Sequence, residues 1–178
     1  VRREYLVAGG MGLAALGISY FFRREITDTG ADIVGRVIQT RGFRNNNPGN
    51  IRKGQSWQGE RVAQTDAAFE EFEAPAYGYR AMCRILDGYR SRYGARTVLD
   101  YINRWAPPSD NNPTSEYAAY VANHMDIDPR AYVDTRDPDL MIAMMDAITR
   151  FENNGANIFS SEDMRAGLDM SRTGVTYA

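Results

Sequence analysis

From Tyr5 to Phe22 the chain runs YLVAGGMGLAALGISYFF without one charged residue, bracketed by Arg2-Arg3-Glu4 and Arg23-Arg24-Glu25. No other stretch limits the fold as strongly. As a helix it would rise roughly 27 Å, close to the ~30 Å hydrocarbon core of a bilayer. Tyr5, Tyr20, Phe21 and Phe22 stand at its ends, where aromatic rings favour the membrane–water interface. Gly9, Gly10, Gly12 and Gly17 weaken a soluble helix but let membrane helices pack closely. A cleavable signal would end in small residues, whereas this run ends Tyr-Phe-Phe-Arg-Arg. The expectation is a retained N-terminal transmembrane helix within residues 1–25, holding residues 5–22 in a lipid membrane. Arginine pairs flank both ends, so the charge pattern sets no orientation.

The rest of the 178 residues has room for one compact domain. A composition of 43% hydrophobic and 25% charged residues argues against a disordered or fibrous chain. With 21 basic and 23 acidic residues the charges nearly cancel, so no bulk electrostatic footprint points to nucleic acid, and none is expected as a partner. Cys83 and His124 are the sole cysteine and histidine. An intramolecular disulfide and multi-thiolate or multi-histidine metal sites are thereby excluded, and no cofactor or metal is expected. The sequence contains no phosphate-binding glycine loop and no nucleophilic triad motif.

Residues 26–40 read as an amphipathic connector, with Thr27 and Asp28 as capping oxygens and Ile33, Val34, Val37 and Ile38 at helical spacing. Past Arg41 the run Asn45-Asn46-Asn47-Pro48-Gly49-Asn50 is a dense turn signal. A short hairpin is expected across 57–72, although Phe69 and Phe72 are three apart and break strict alternation. Four helices follow. The first carries Tyr79, Met82, Ile85, Leu86 and Tyr89 and stops at Gly94. The second, capped by Thr97, carries Val98, Tyr101, Ile102 and Trp105 up to Pro107-Pro108. The third is capped by Thr114 or Ser115 and carries Tyr117, Tyr120, Val121 and His124. The fourth opens at Asp137-Pro138 and buries Leu140, Met141, Met144, Met145, Ile148 and Phe151. Residues 160–178 are polar with weak periodicity and read as a surface tail. The expected architecture is mainly α with one small β element.

The run Arg41-Gly-Phe-Arg-Asn-Asn-Asn-Pro-Gly-Asn-Ile-Arg52, followed by Trp57-Gln-Gly59, resembles a family of phage and prophage virion-associated structural proteins with a lysozyme-like domain. Further stretches share the likeness: Phe69-x-x-Phe72, Gly78-x-Arg80-Ala81, Ile102-Asn-Arg-Trp-Ala-Pro-Pro108 with Asp110-Asn-Asn112, and Ile148-Thr-Arg-Phe-Glu152-Asn-Asn-Gly155. The region is also similar to bacterial cell-wall glucosaminidases, whose essential Glu lies upstream of the Asn-Pro-Gly turn. Here that region offers only Glu25, Asp28 and Asp32. The resemblance implies a lysozyme-like α+β domain with a small β-hairpin over 41–159. It also implies a protein of the phage virion, in its internal membrane and in the host membrane during assembly. Bacterial peptidoglycan and other virion proteins would be its partners. Its action would be local cleavage of glycan strands, of muramidase or lytic transglycosylase type, as the genome enters. The alternative is a non-catalytic virion protein that keeps the shape for assembly or wall binding.

Such cleavage needs a carboxylic acid that stays protonated near neutral pH and donates to the leaving oxygen. Glu152 continues the buried stripe of Met145 and Ile148 and stands at a helix C-terminus, where backbone carbonyls disfavour a carboxylate. An ion pair with Arg150 would explain it equally well. Glu70, Glu71 and Glu73 flank an aromatic segment and are alternatives, against the plainer reading of a solvated edge. Arg44, Asn45, Asn47 and Asn50 can line a glycan groove, or satisfy their own turn. Trp57 and Trp105 can stack on sugars or fill a core, and Asn111 lies in a proline-bounded loop.

Overall fold

The computed structural model describes residue 35, residues 40–157 and residues 159–174. In chain order its helices are α1 (Arg41–Arg44), α2 (Pro75–Tyr93), α3 (Val98–Trp105), α4 (Thr114–His124), α5 (Pro138–Glu152) and α6 (Ser161–Thr173), with a 3-10 turn at Pro108–Asp110. Helix α2 is the hub, packing against α6, α3 and α5, while α4 bridges α3 and α5. Its stripe of Tyr79, Met82, Ile85, Leu86 and Tyr89 is buried, as spacings of three and four require of a core-facing helix. Pro75 stands in its first turn and Gly94 ends it in the left-handed conformation (φ 71°).

The other starts follow local chemistry. Thr97 and Asp100 form a reciprocal capping box at α3. The Asp137 carboxylate accepts from the Asp139 and Leu140 amides, with Pro138 next in line. The predicted cap of α4 differs. Thr114 is the first helical residue rather than a side-chain cap, and its hydroxyl donates to the Ala106 carbonyl at 2.6 Å. It thereby ties α4 back to the end of α3.

The expected lysozyme-like α+β fold with a hairpin is overturned, because the described residues contain no β-strand. Where the hairpin was expected there are only isolated antiparallel bridges, Arg52–Phe69 and Glu60–Phe72. Burial supplies the reason. Phe69, Glu70, Glu71 and Phe72 are all enclosed, so four consecutive side chains point inward, where a half-buried strand would turn alternate ones to water. The expected N-terminal transmembrane helix falls on residues 5–22, outside the described residues. Among the described residues no helix is long and apolar enough to cross a membrane.

The segment read as a polar tail also differs. Ser160 accepts from the Asp163 amide to open α6, which buries Met164, Leu168 and Met170. Gly167 lets α6 lie directly on α2, since a Cβ there would come within 2.5 Å of the Tyr79 Cβ and 2.7 Å of the Ala76 carbonyl oxygen.

Candidate functional site

The Asn-rich turn and the end of α5 are built as one unit. Asn153, the C-cap of α5, is fully buried; its amide donates to the carbonyls of Pro48 (2.9 Å) and Thr149 (2.8 Å) and its oxygen accepts from the Thr40 hydroxyl (2.7 Å). The turn can approach this closely because its neighbours lack side chains. A Cβ on Gly49 would sit 2.8 Å from the Trp105 ring, and one on Gly42 would sit 2.4 Å from the Asn153 side-chain oxygen. Asn47 closes the turn, donating to the carbonyls of Ile51 (2.9 Å) and Glu70 (3.0 Å) while accepting from the Ile51 amide (2.8 Å). Asn50 follows in the left-handed conformation (φ 46°), tolerated by Asn more than by most side chains, and this aims its amide at the last residue of α5.

That last residue is Glu152. Its Oε1 accepts from the Tyr117 hydroxyl at 2.9 Å and from the Trp105 indole N–H at 3.4 Å, and its Oε2 accepts from Asn50 Nδ2 at 3.1 Å. Asn50 Nδ2 also reaches the Glu152 carbonyl at 3.3 Å. Three elements thus converge on one carboxyl: the turn, the end of α3 and the start of α4. Tyr117 is locked in turn by stacking on Phe151, with ring centroids 3.5 Å apart. Glu152 as a whole keeps partial solvent access.

Loss of hydration around the carboxyl raises its pKa above the ordinary carboxylate value. The donations from Asn50, Tyr117 and Trp105, and the charge of Arg52, oppose the rise without cancelling it. The position at a helix C-terminus acts in the same sense as burial. An ion pair with Arg150 does not account for Glu152. Arg150 instead bonds Asp146 at 2.8 Å, where His124 (2.6 Å) and Asn157 (2.7 Å) converge as well. Glu152 is thus a carboxyl of raised pKa with neutral donors around it.

The other candidates separate. Glu70 is only 3% exposed, and burial, with the charge of Glu60 second, pushes its pKa to about 7. Glu71 is equally enclosed but held ionised, its pKa lowered by the Asp66 and Thr65 amides, the Thr65 hydroxyl and Arg61. Glu73 is exposed. Asn45 is committed to Asp66 at 3.0 Å, and the exposed Arg44 gives its carbonyl to Arg61. Trp105 is wholly buried, so its indole edge serves Glu152 and its face serves the core. Trp57 is partly buried beside the Glu60 carboxylate, which accepts from its backbone amide. Asn111 is exposed at the end of the 3-10 turn, and none of its hydrogen bonds reaches Glu152.

Of the predicted residues the structure therefore gathers Glu152, Asn50 and Trp105, with Asn47 as the brace of the turn. Sequence reasoning put Tyr117 on the core face of its helix and missed its hydroxyl as the shortest donor to Glu152. A tyrosine whose ring is buried needs a partner for its oxygen, and that was the available signal. Cys83 is buried against Met145, and burial pushes its thiol up to about 12. Among the described residues no cluster of His, Cys, Asp and Glu is arranged to hold a metal ion.

No family model matches the chain. It is 37% identical over 161 residues to Protein P5 of Pseudoalteromonas phage PM2, a match that takes in 88% of this chain and 90% of that protein.

Proposed function

This chain belongs to the family of phage proteins that includes Protein P5, and from that premise we propose that it is a virion protein that cleaves the glycan strands of bacterial peptidoglycan. The observation that carries the proposal is the Glu152 carboxyl, deprived of water, raised in pKa and held by Tyr117, Trp105 and Asn50, in a residue that as a whole keeps partial exposure.

Glu152 acts as general acid, delivering its proton to the glycosidic oxygen as the bond to the anomeric carbon breaks. Tyr117, Trp105 and Asn50 then stabilise the carboxylate that is left, since each donates to it. Asn50 suits both states of the acid. Turned one way its amide donates to the carboxylate; turned over, its oxygen accepts from the protonated form. Either water or the sugar's own hydroxyl completes the reaction, and the products distinguish them: a new reducing end from the first, an internal anhydro ring from the second.

The test is digestion of purified sacculi by the full chain and by Glu152→Gln. The wild type is expected to release soluble fragments, with activity falling as pH rises through the raised pKa. Glu152→Gln should fold normally and lose about 10²–10⁴-fold in rate. Full activity in that variant removes Glu152 from the role and moves it to Glu70, Glu71 or Glu73. The second reading, a non-catalytic virion protein, is favoured by one observation: both carboxyl oxygens already have protein donors. Folded wild-type protein inert on sacculi of several wall types across pH would establish it.

A further inference from the structure

A groove of about 770 Å³ lies along the outer face of α2, away from the partners of Glu152. Its charge is lopsided. Six arginines line it (Arg80, Arg84, Arg90, Arg92, Arg136 and Arg172), whereas Asp87 is the single acidic residue among them. Asp134, close by, occupies Arg136 in a forked pair and comes within 3.9 Å of Arg90. Asp87 itself accepts from the Thr135 hydroxyl at 2.8 Å. A chain with a net charge of −2 has therefore concentrated cations on one wall.

Arg80 and Arg84 are one helical turn apart on the same face of α2, and among the described residues no carboxylate pairs with either of them. The Arg80 Nε is buried and makes no hydrogen bond. Burial and the neighbouring charge of Arg84 both work against its protonated state, so an arriving anion would relieve what the protein leaves unmatched.

Gly88 is the second observation, independent of charge. It lines the groove in the interior of α2, one turn beyond Arg84. Apart from proline, glycine is the residue a helix interior favours least. No packing explains it, because a Cβ there would meet nothing within 4 Å. The missing side chain opens the helix backbone to whatever lies in the groove.

We propose that this groove binds a single strand of nucleic acid, with Arg80 and Arg84 holding successive phosphates across the open backbone at Gly88. Guanidinium forks match phosphate oxygens two by two. Gln55, Gln58 and Trp57 also line the groove, and the Trp57 indole N–H is buried without a partner. Amides and an indole next to a cationic track are what unpaired base edges and faces require. The concave shape disfavours a flat bilayer, and the unpaired base edges that amides would read are free in a single strand rather than in a duplex. The density of positive charge favours a polymer with one phosphate per unit over wall glycan. This inference stands apart from the glycan-cleaving function and from Glu152.

The experiment measures binding of the full chain to a fluorescent oligothymidylate of about 12 nucleotides, across salt concentrations, by anisotropy. Binding should weaken with salt, and Arg80→Gln/Arg84→Gln should lose about tenfold in affinity. Its salt slope should fall by about 1.4, near 0.7 for each phosphate contact removed. Gly88→Leu should also lose about tenfold while helix content holds, because leucine favours the helix and fills the groove. Sacculus digestion by both variants should equal that of the wild type. The proposal is overturned by failure to bind at low salt, by equal affinity for duplex, or by wild-type binding in the arginine double variant. It is overturned as well if soluble muropeptides or phosphatidylglycerol vesicles displace the strand more effectively than unlabelled oligothymidylate.

Discussion

Glu71 and Glu152 are both carboxyls withdrawn from water, and the protein drives them in opposite directions. Glu71 accepts from the backbone amides of Thr65 and Asp66 (2.8 Å for Asp66), from the Thr65 hydroxyl at 3.1 Å and from Arg61 at 3.4 Å. Its pKa is lowered despite burial. Glu152 accepts from three neutral side chains and closes a helix at the end where carbonyls point, and its pKa is raised despite the charge of Arg52. Counting hydrogen bonds would not separate them. Two things do: loss of hydration weighs more heavily on Glu152, and the fixed backbone N–H groups and guanidinium at Glu71 favour the ionised form more than the amide, phenol and indole at Glu152 do. One carboxyl braces the 61–71 loop in its ionised form, and the other is shifted toward its protonated form.

The largest contrast should appear when each is made neutral without changing shape. In Glu71→Gln an NH2 group replaces an oxygen that faces donors, so buried N–H groups lose their acceptor. Urea unfolding should show a loss of about 2–3 kcal/mol. Glu152→Gln should stay within about 1 kcal/mol of the wild type, because the amide resembles the protonated acid and Asn50 can turn its unpartnered Oδ1 toward the new NH2. Equal destabilisation of the two variants would break the comparison and make Glu152 a second brace.

Glu70 sharpens it with pH. Its ordinary value of 4.5 is raised to about 7 by burial, with the charge of Glu60 as the second cause. Between those values the folded chain binds more protons than the unfolded one, so stability falls as pH rises from 4.5 to about 7 and levels off above. Glu152 adds a slope of the same sign. Glu71 acts oppositely, its contribution disappearing as pH falls through its lowered value. Unfolding midpoints measured across this range should slope downward, and Glu70→Gln should make the slope shallower, leaving the part that Glu152 contributes. A variant as steep as the wild type would show that Glu70 ionises normally.

How much of this was legible follows from range. Helices α2, α3 and α5 declared themselves in apolar residues three and four apart and in local caps at Thr97 and Asp137-Pro138. Helix α6 carried the same signals in Ser160, Asp163, Met164, Leu168 and Gly174, but its charged outer face diluted the pattern. The Phe69–Phe72 segment misled because four adjacent buried side chains match neither period. Glu152 was recognisable from the stripe it extends and the helix end it occupies. Its donors were not, since Tyr117 lies 35 residues away and Asn50 lies 102 away. Net charge hid the arginine wall for a related reason: it sums over a surface that the fold divides.

The smallest expected effect tests the logic most finely. Tyr117→Phe removes the 2.9 Å donor to Glu152 and keeps the ring stacked on Phe151, while Trp105 and Asn50 still donate. The loss in stability should be about 1 kcal/mol at neutral pH and less in acid, where a protonated carboxyl needs the donor less. Because that hydroxyl favours the ionised carboxyl, its removal should raise the Glu152 pKa further, and the alkaline limb of sacculus digestion should move to higher pH. Thr65→Val offers the matched control at Glu71. It removes one hydroxyl and leaves two backbone amides and Arg61, so Glu71 should remain ionised. A limb that moves to lower pH in Tyr117→Phe would mean that the phenol oxygen accepts from the protonated acid instead, and neutral donors would then no longer be what sets Glu152 apart.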